Sequence, residues 1–201
     1  MTPSAEIQNN LNDLVYLDVD FVSAIFQAVS GEAPETRFST QQGKKTDLND
    51  AVFISESLSV ETRTFETSSI NMISVVLSEL EKYPQFEPER FKNYQGTITC
   101  WFSGEFTMGT WTHTTDVGGL DEKTQSHSMY EVSGSKFTYA LLAQPHLFAS
   151  NIGSLLLASP AIQRYIGIPV RVIGRVLYFL EDADRFVVAP YLILESERTH
   201  Q

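Results

Sequence analysis

The sequence predicts an α+β fold, an antiparallel sheet or partly closed β-barrel covered by two to four helices, and three observations predict it. Helix-period apolar stripes lie in the first half of the chain, period-two strand patterns run from the middle to the end, and no internal repeat or linker divides them. At 201 residues, with 42% hydrophobic and 19% charged positions, one domain can bury a sizeable core without staples. The expected organisation is a lead-in over residues 1–13, a single domain over residues 14–195 and a tail over residues 196–201.

Residues 14–19 carry the β-formers Val15, Tyr16 and Val19 and read as a buried strand. A helix follows at once. Phe21, Val22, Ile25, Phe26 and Val29 recur at three- and four-residue spacing, Asp20 stands where an N-cap belongs, and Gly31 supplies the stop. Residues 31–50 are polar, contain Pro34 and Gly43, and read as a long surface loop. Residues 51–65 mix Val, Ile, Phe and Thr with charges, as a strand or strand pair would. Ser68 or Ser69 caps a second helix whose stripe of Ile70, Ile73, Val76, Leu77 and Leu80 ends before Pro84.

From Gly96 the period changes to two. Ile98, Cys100 and Phe102 share a face, Ser103-Gly104 reads as a turn, and Phe106 and Met108 continue beyond it as a hairpin. A second loop over residues 114–126 precedes short strands at 129–132 and 137–142, which are separated by Ser133-Gly134-Ser135. Residues 151–158 form a short apolar helix candidate, and Ser159-Pro160 restarts a turn of helix that Gly167 closes. Residues 169–180 and 186–194 are the strongest strand signals, joined by an acidic turn at 181–184. Pro190 has no N–H to give a ladder, so the last strand lies at an edge or carries a bulge. Were it an edge, its Val, Leu and Ile could pair with a second copy, and homo-oligomerisation is expected on that ground.

Composition removes several function classes. Fourteen Lys and Arg against 25 Asp and Glu give a formal charge of -11, which argues against nonspecific nucleic-acid binding and against anionic membrane surfaces. The longest apolar stretch falls well short of the roughly 20 residues of a membrane-spanning helix. Residues 1–12 carry no basic flank and apolar run of a secretion signal, and the single cysteine, Cys100, has no internal disulfide partner. A cytoplasmic setting fits both.

Residues 15–22, Val-Tyr-Leu-Asp-Val-Asp-Phe-Val, resemble the opening motif of the haloacid-dehalogenase-like phosphatases, in which a strand ends in Asp-x-Asp. The resemblance implies Asp18 as nucleophile, Asp20 as acid/base and magnesium as cofactor. It also implies a Ser or Thr after a second strand, a Lys and a late acidic pair. Ser78 falls inside a predicted helix, and Asp182 and Asp184 only imitate the acidic pair. The plainer reading is that Asp20 caps the helix while Asp18 meets nearby backbone donors.

Other candidates have their own plain explanations. His113, Asp116, Asp121 and His127 crowd one stretch and could bind a metal, although their spacing fits no compact ligand motif. Arg171 and Arg175, four apart on a strand, could grip an anion, but in so acidic a chain they also find carboxylate partners. Trp101 and Trp111 could stack on a base or a sugar, which with the two arginines describes a nucleotide or single-stranded nucleic-acid binder. Sheet aromatics are more often core. Cys100 alternates with core-facing residues, as an inert buried thiol does.

Tyr16-Leu17-Asp18, followed by Ser23, Gln27 and Gly31, resembles the opening of a group of uncharacterised bacterial domains that begin with a Tyr-Leu-Asp strand and a short helix. The likeness covers about a tenth of the chain and implies a bacterial or phage origin with no carried-over activity. The leading functional expectation is a non-enzymatic binding or regulatory module that recognises a protein partner or a small ligand through loops and a sheet face.

Overall fold

The structure is a computed structural model that describes residues 13–31, 40–41, 62–63, 67–92, 96–117, 121–149, 152, 155 and 166–196. Residues 1–12 of the expected lead-in, residues 197–201 of the expected tail, most of the stretch between residues 31 and 66, and most of the helical stretch after residue 150 lie outside the described residues.

The chain opens with strand β1 (Leu14–Leu17) and helix α1 (Val19–Ser30). Two short strands, β2 (Thr40–Gln41) and β3 (Thr62–Arg63), pair with each other antiparallel. Helix α2 (Thr67–Leu80) and the single turn α3 (Pro88–Phe91) lead into the long strand β4 (Ile98–Val117). Strands β5 (Asp121–Ser133), β6 (Thr138–Leu141), β7 (Ile168–Leu180) and β8 (Arg185–Glu195) follow. A 3-10 turn over Glu181–Ala183 joins the last two, where the acidic turn is expected.

The sheet is closed and mixed. Its order, β1-β8-β6-β5-β4-β7, is completed by pairing of β7 with β8, so β4 to β8 form a five-stranded barrel. All the ladders of this sheet are antiparallel except β6–β8, which is parallel, so the purely antiparallel sheet expected from short hairpins is corrected there. The parallel pair arises because β6 returns to β8 only after β7 has intervened in sequence.

Closure depends on β4. Its first half pairs with β7 and its second half with β5, and the two ladders overlap at Glu105 and Phe106. The expected Ser103-Gly104 turn is not there, because the strand runs straight through it. Gly104 is required for another reason: a Cβ at this position would stand 2.4 Å from the carbonyl oxygen of Ser133, where β5 crosses close.

Alternation then sorts side chains between two cores. Cys100, Phe102, Phe106 and Met108 of β4 point into the barrel with Tyr130, Val132, Tyr139, Val170, Val172, Val176, Phe186 and Val188. Five strands leave room for packed side chains rather than a lumen, and rings such as Phe102 and Tyr139, 4.3 Å apart, fill it. Opposite parity sends Trp101, Ile173 and Leu192 outward, where Leu17, Val22, Ile73, Val76 and Leu80 cover them as a second core under α1 and α2.

Pro190 marks a bulge, one of the two expected alternatives. Ile173 pairs with Leu192 but Gly174 pairs with Pro190, so Tyr191 is the extra residue. The inward set accordingly switches from Phe186 and Val188 to Ile193. The edge alternative is overturned, because β7 lies along one side of β8 while β6 and then β1 occupy the other. Self-pairing through this last strand loses its basis.

Of the stretch 114–126, expected to be a loop, residues 114–117 and 121–126 are instead strand, with Thr114 paired to Thr124 and Val117 to Asp121. Polar threonines hold a ladder without the apolar alternation that signals a core-facing strand.

Candidate functional site

Asp18 follows β1 directly, and its backbone N–H donates to the Tyr191 carbonyl at 2.8 Å, which fixes where the helix begins. Its Oδ1 accepts the N–H of Phe21 at 3.1 Å, so Asp18 is the N-cap, and the expected cap at Asp20 is corrected by two positions. Val19, almost wholly buried, must already be helical to reach the core, which leaves Asp20 exposed in the first turn. Gly31 closes the helix in the left-handed region, with φ 74°, as its sequence position implies.

This arrangement does not build the phosphatase set. Asp182 and Asp184 lie in the turn before β8, whereas Asp18 meets β8 at Tyr191, some seven residues and thus roughly 20 Å along the strand. Asp184 faces Lys92 at 3.6 Å, and the Lys92 ammonium sits 4.4 Å and 4.7 Å from the ring centroids of Phe137 and Phe179. Among the described residues no group of three or more His, Cys, Asp and Glu side chains could hold a metal ion. His113, Asp116, Asp121 and His127 have ladder positions on the β4–β5 ribbon, with His127 opposite Trp111 and Asp121 opposite Val117, but their side chains and that of Trp111 lie outside the described residues.

Arg171, Ile173 and Arg175 share the outer face of β7, as their spacing implies. Arg171 gives Nη1 and Nη2 to the two carboxylate oxygens of Glu81 at 2.7 Å and 2.8 Å, and its guanidinium carbon lies 4.1 Å from the Trp101 ring centroid. That hydrogen-bonded guanidinium holds the Glu81 carboxyl below the usual carboxylate range. Trp101 is wholly buried, and its indole N–H donates to the Leu80 carbonyl at 2.7 Å, so it presents no face for a base or a sugar. Arg175 is exposed and donates from Nε to Thr97 Oγ1 at 2.8 Å. Arg185 is ion-paired with Glu131. Cys100 is wholly buried, and burial pushes its thiol up to about 12, so the nucleophilic thiolate is suppressed.

Among the described residues an apolar groove of about 470 Å³ lies between α1 and the end of α2. Phe21, Ala24, Ile25, Ala28 and Val29 form one wall and Tyr83 closes the other, with the Glu79–Lys82 ion pair, 2.6 Å long, on the rim. The small side chains at 24 and 28 make the concavity. The Phe21 ring is held in place by stacking on Tyr191, centroids 3.7 Å apart and planes 6° from parallel, and Tyr191 is the bulged residue next to Pro190. Ser23 Oγ donates to Met72 Sδ at 3.7 Å, which ties the two helices together beneath the groove.

The groove was half-visible in the sequence. The α1 stripe is wider than the core requires: Val19 and Val22 are buried, while Val29 is 46% exposed. A second, smaller concavity of about 280 Å³ lies between Pro84 and Phe91, with Phe86 and Ile98 as its apolar floor and Arg90 at its mouth.

No family model, curated protein or solved structure matches this chain.

Among the described residues no helix is long and apolar enough to cross a membrane.

Proposed function

We propose that the protein is a non-enzymatic binding module of a bacterial or phage cytosol that recognises a protein partner through the α1–α2 groove. One observation carries this reading: Asp18, Arg171 and Trp101 are engaged in hydrogen bonds of the fold itself, while an apolar groove opens outward between two helices. Such grooves accept the apolar stripe of an amphipathic helix, anchored at residues one helical turn apart. The charge of -11 steers basic partners toward the surface, so the partner's stripe is flanked by Lys and Arg and its association rate falls as salt rises. The single buried cysteine and the Tyr-Leu-Asp opening support the assigned setting.

The test places a photo-crosslinking residue at Ala28 in the full chain. One protein cross-linked from wild-type cells, and lost when Ala24→Arg fills the groove without changing the thermal midpoint, is the expected result. Phosphate-ester turnover by purified protein that disappears in Asp18→Asn defeats the reading in favour of magnesium-dependent hydrolysis. Capture unaltered by Ala24→Arg removes the groove from it.

A further inference from the structure

Among the described residues the ladders leave one segment of β4 paired on one side only. β7 runs beside β4 only from Ile98 to Phe106, and β6 runs beside β5 only from Tyr130 to Ser133. Beyond these limits, residues 109–117 of β4 pair with residues 121–129 of β5, and among the described residues no ladder flanks that ribbon on either side. Nine residues at strand rise make an arm about 30 Å long. A two-stranded ribbon is marginal in water on its own and gains stability from a third strand.

Its two outer edges differ in sequence. The β5 edge begins Asp121-Glu122-Lys123, and runs of charge are a standard device for keeping an edge from pairing. The β4 edge reads Gly-Thr-Trp-Thr-His-Thr-Thr-Asp-Val over residues 109–117, with one carboxylate, Asp116, near its end, no lysine, arginine or proline, and many β-forming threonines. A long edge with so little protection is a template for another strand.

We propose that this strand is the same segment of a second copy, so that β4 edges pair antiparallel across a two-fold axis and join two ribbons into a four-stranded sheet. Pairing that uses the whole free stretch on both copies centres on residue 113. Residue 109 then opposes 117, 110 opposes 116, 111 opposes 115 and 112 opposes 114. In this register Asp116 meets Thr110 rather than another acid, so no like charges are set opposite each other despite the net charge of the chain. An isologous pairing of this kind closes on itself and stops at the dimer. The inference does not depend on the α1–α2 groove, which lies on the helical side of the barrel.

The experiment is sedimentation velocity on the full chain, with folding checked by circular dichroism. Wild type is expected to be a dimer. Thr112→Glu with Thr114→Glu sets Glu against Glu twice and weakens the dimer by about tenfold or more, whereas Thr112→Glu with Thr114→Lys sets opposite charges together and retains it. In parallel, His113→Cys should cross-link two chains under mild oxidation, because the two-fold axis brings the paired α-carbons within disulfide reach, while Lys123→Cys on the other edge should not. Cys100, wholly buried, stays silent. A monomeric wild type, a dimer indifferent to the paired glutamates, or cross-linking through position 123 rather than 113 would each overturn the proposal. A monomer whose residues 109–117 exchange slowly would assign the edge to another segment of the same chain.

Discussion

Arg171 sits between two partners of different chemistry, with its guanidinium carbon 4.1 Å from the Trp101 ring and both terminal nitrogens on the Glu81 carboxylate. The stem and planar head of the arginine roof the indole, and the carboxylate after α2 orients the head. Truncating Arg171→Ala removes the ring contact, the packing and the ion pair, and should cost about 2 kcal/mol in urea unfolding. Glu81→Gln removes only the charge of a half-exposed partner and should cost about 0.5 kcal/mol. Arg171→Lys should recover little, because an ammonium cannot make the forked contact. The folded carboxyl is held below its ordinary 4.5, so its contribution is present above that pH and is lost as pH falls through the lower folded value. Arg171→Ala should therefore flatten the wild-type loss of stability below about pH 4.5; parallel acid limbs would contradict the pairing.

Two acids two residues apart should respond differently to removal. Asp18→Ala deletes the side chain that accepts the Phe21 N–H and should cost about 1 kcal/mol, measured as a lower thermal midpoint. Asp18→Asn keeps an acceptor and should restore most of it. Asp20→Ala touches only a charge near the helix start and should stay within about 0.5 kcal/mol. Equal losses at the two positions would refute the cap.

The same pair shows how far sequence reading reaches. Strand β1, helix α1, the Gly31 stop and the β7–β8 hairpin were legible, because period, cap chemistry and turn residues are local properties. Which of two aspartates caps was not legible, because Val19 is drawn into the helix by burial against distant residues. Gly104 reads as a turn residue in sequence because glycine serves both a free φ and a close approach, and only the proximity of β5 distinguishes them. Pro190 fits an edge or a bulge equally in sequence, and the choice is not local, since strand neighbours are set by closure of the barrel. The Glu81 partner of Arg171 lies 90 residues away in sequence. The wall of the groove was legible in the α1 stripe, whereas its openness depends on how α2 packs.

The barrel corner gives a steric prediction. A Cβ at Gly104 would lie 2.4 Å from the Ser133 carbonyl oxygen, and one at Gly174 would lie 2.8 Å from that of Ala189, beside the Pro190 bulge. Backbone cannot yield as a side chain can, so Gly104→Ala and Gly174→Ala should each destabilise by about 2 kcal/mol or more. At Gly109 the nearest atom to a new Cβ is the Met129 methyl at 3.9 Å, and Gly109→Ala should stay within about 0.5 kcal/mol. Chemical denaturation of the three variants separates these outcomes, and a tolerated Gly104→Ala would mean that β4 and β5 do not approach so closely.

Alkaline stability should be governed by the barrel interior. Burial pushes the Cys100 thiol from 9.0 up to about 12, and the Tyr16 and Tyr139 hydroxyls from 10.0 up to about 12. The Gln144 N–H donates to the Tyr16 hydroxyl at 3.5 Å and offsets a little of the desolvation there, while Tyr139 also resists ionising beside the Cys100 sulfur. All three folded values lie above the unfolded ones, so the native state keeps protons that the unfolded chain releases. Their contribution is complete below about pH 9 and is lost as pH rises toward 12, with each group adding up to about 1.4 kcal/mol per pH unit to the slope. The thermal midpoint should fall steeply across that window, and Tyr139→Phe or Cys100→Ala should make the fall shallower even where it lowers stability at neutral pH. Below that window Cys100 should react with a thiol reagent only at the rate of global unfolding. A slope unchanged in both variants, or a thiol that titrates rapidly at pH 8 in the folded protein, would place these groups outside the dry barrel.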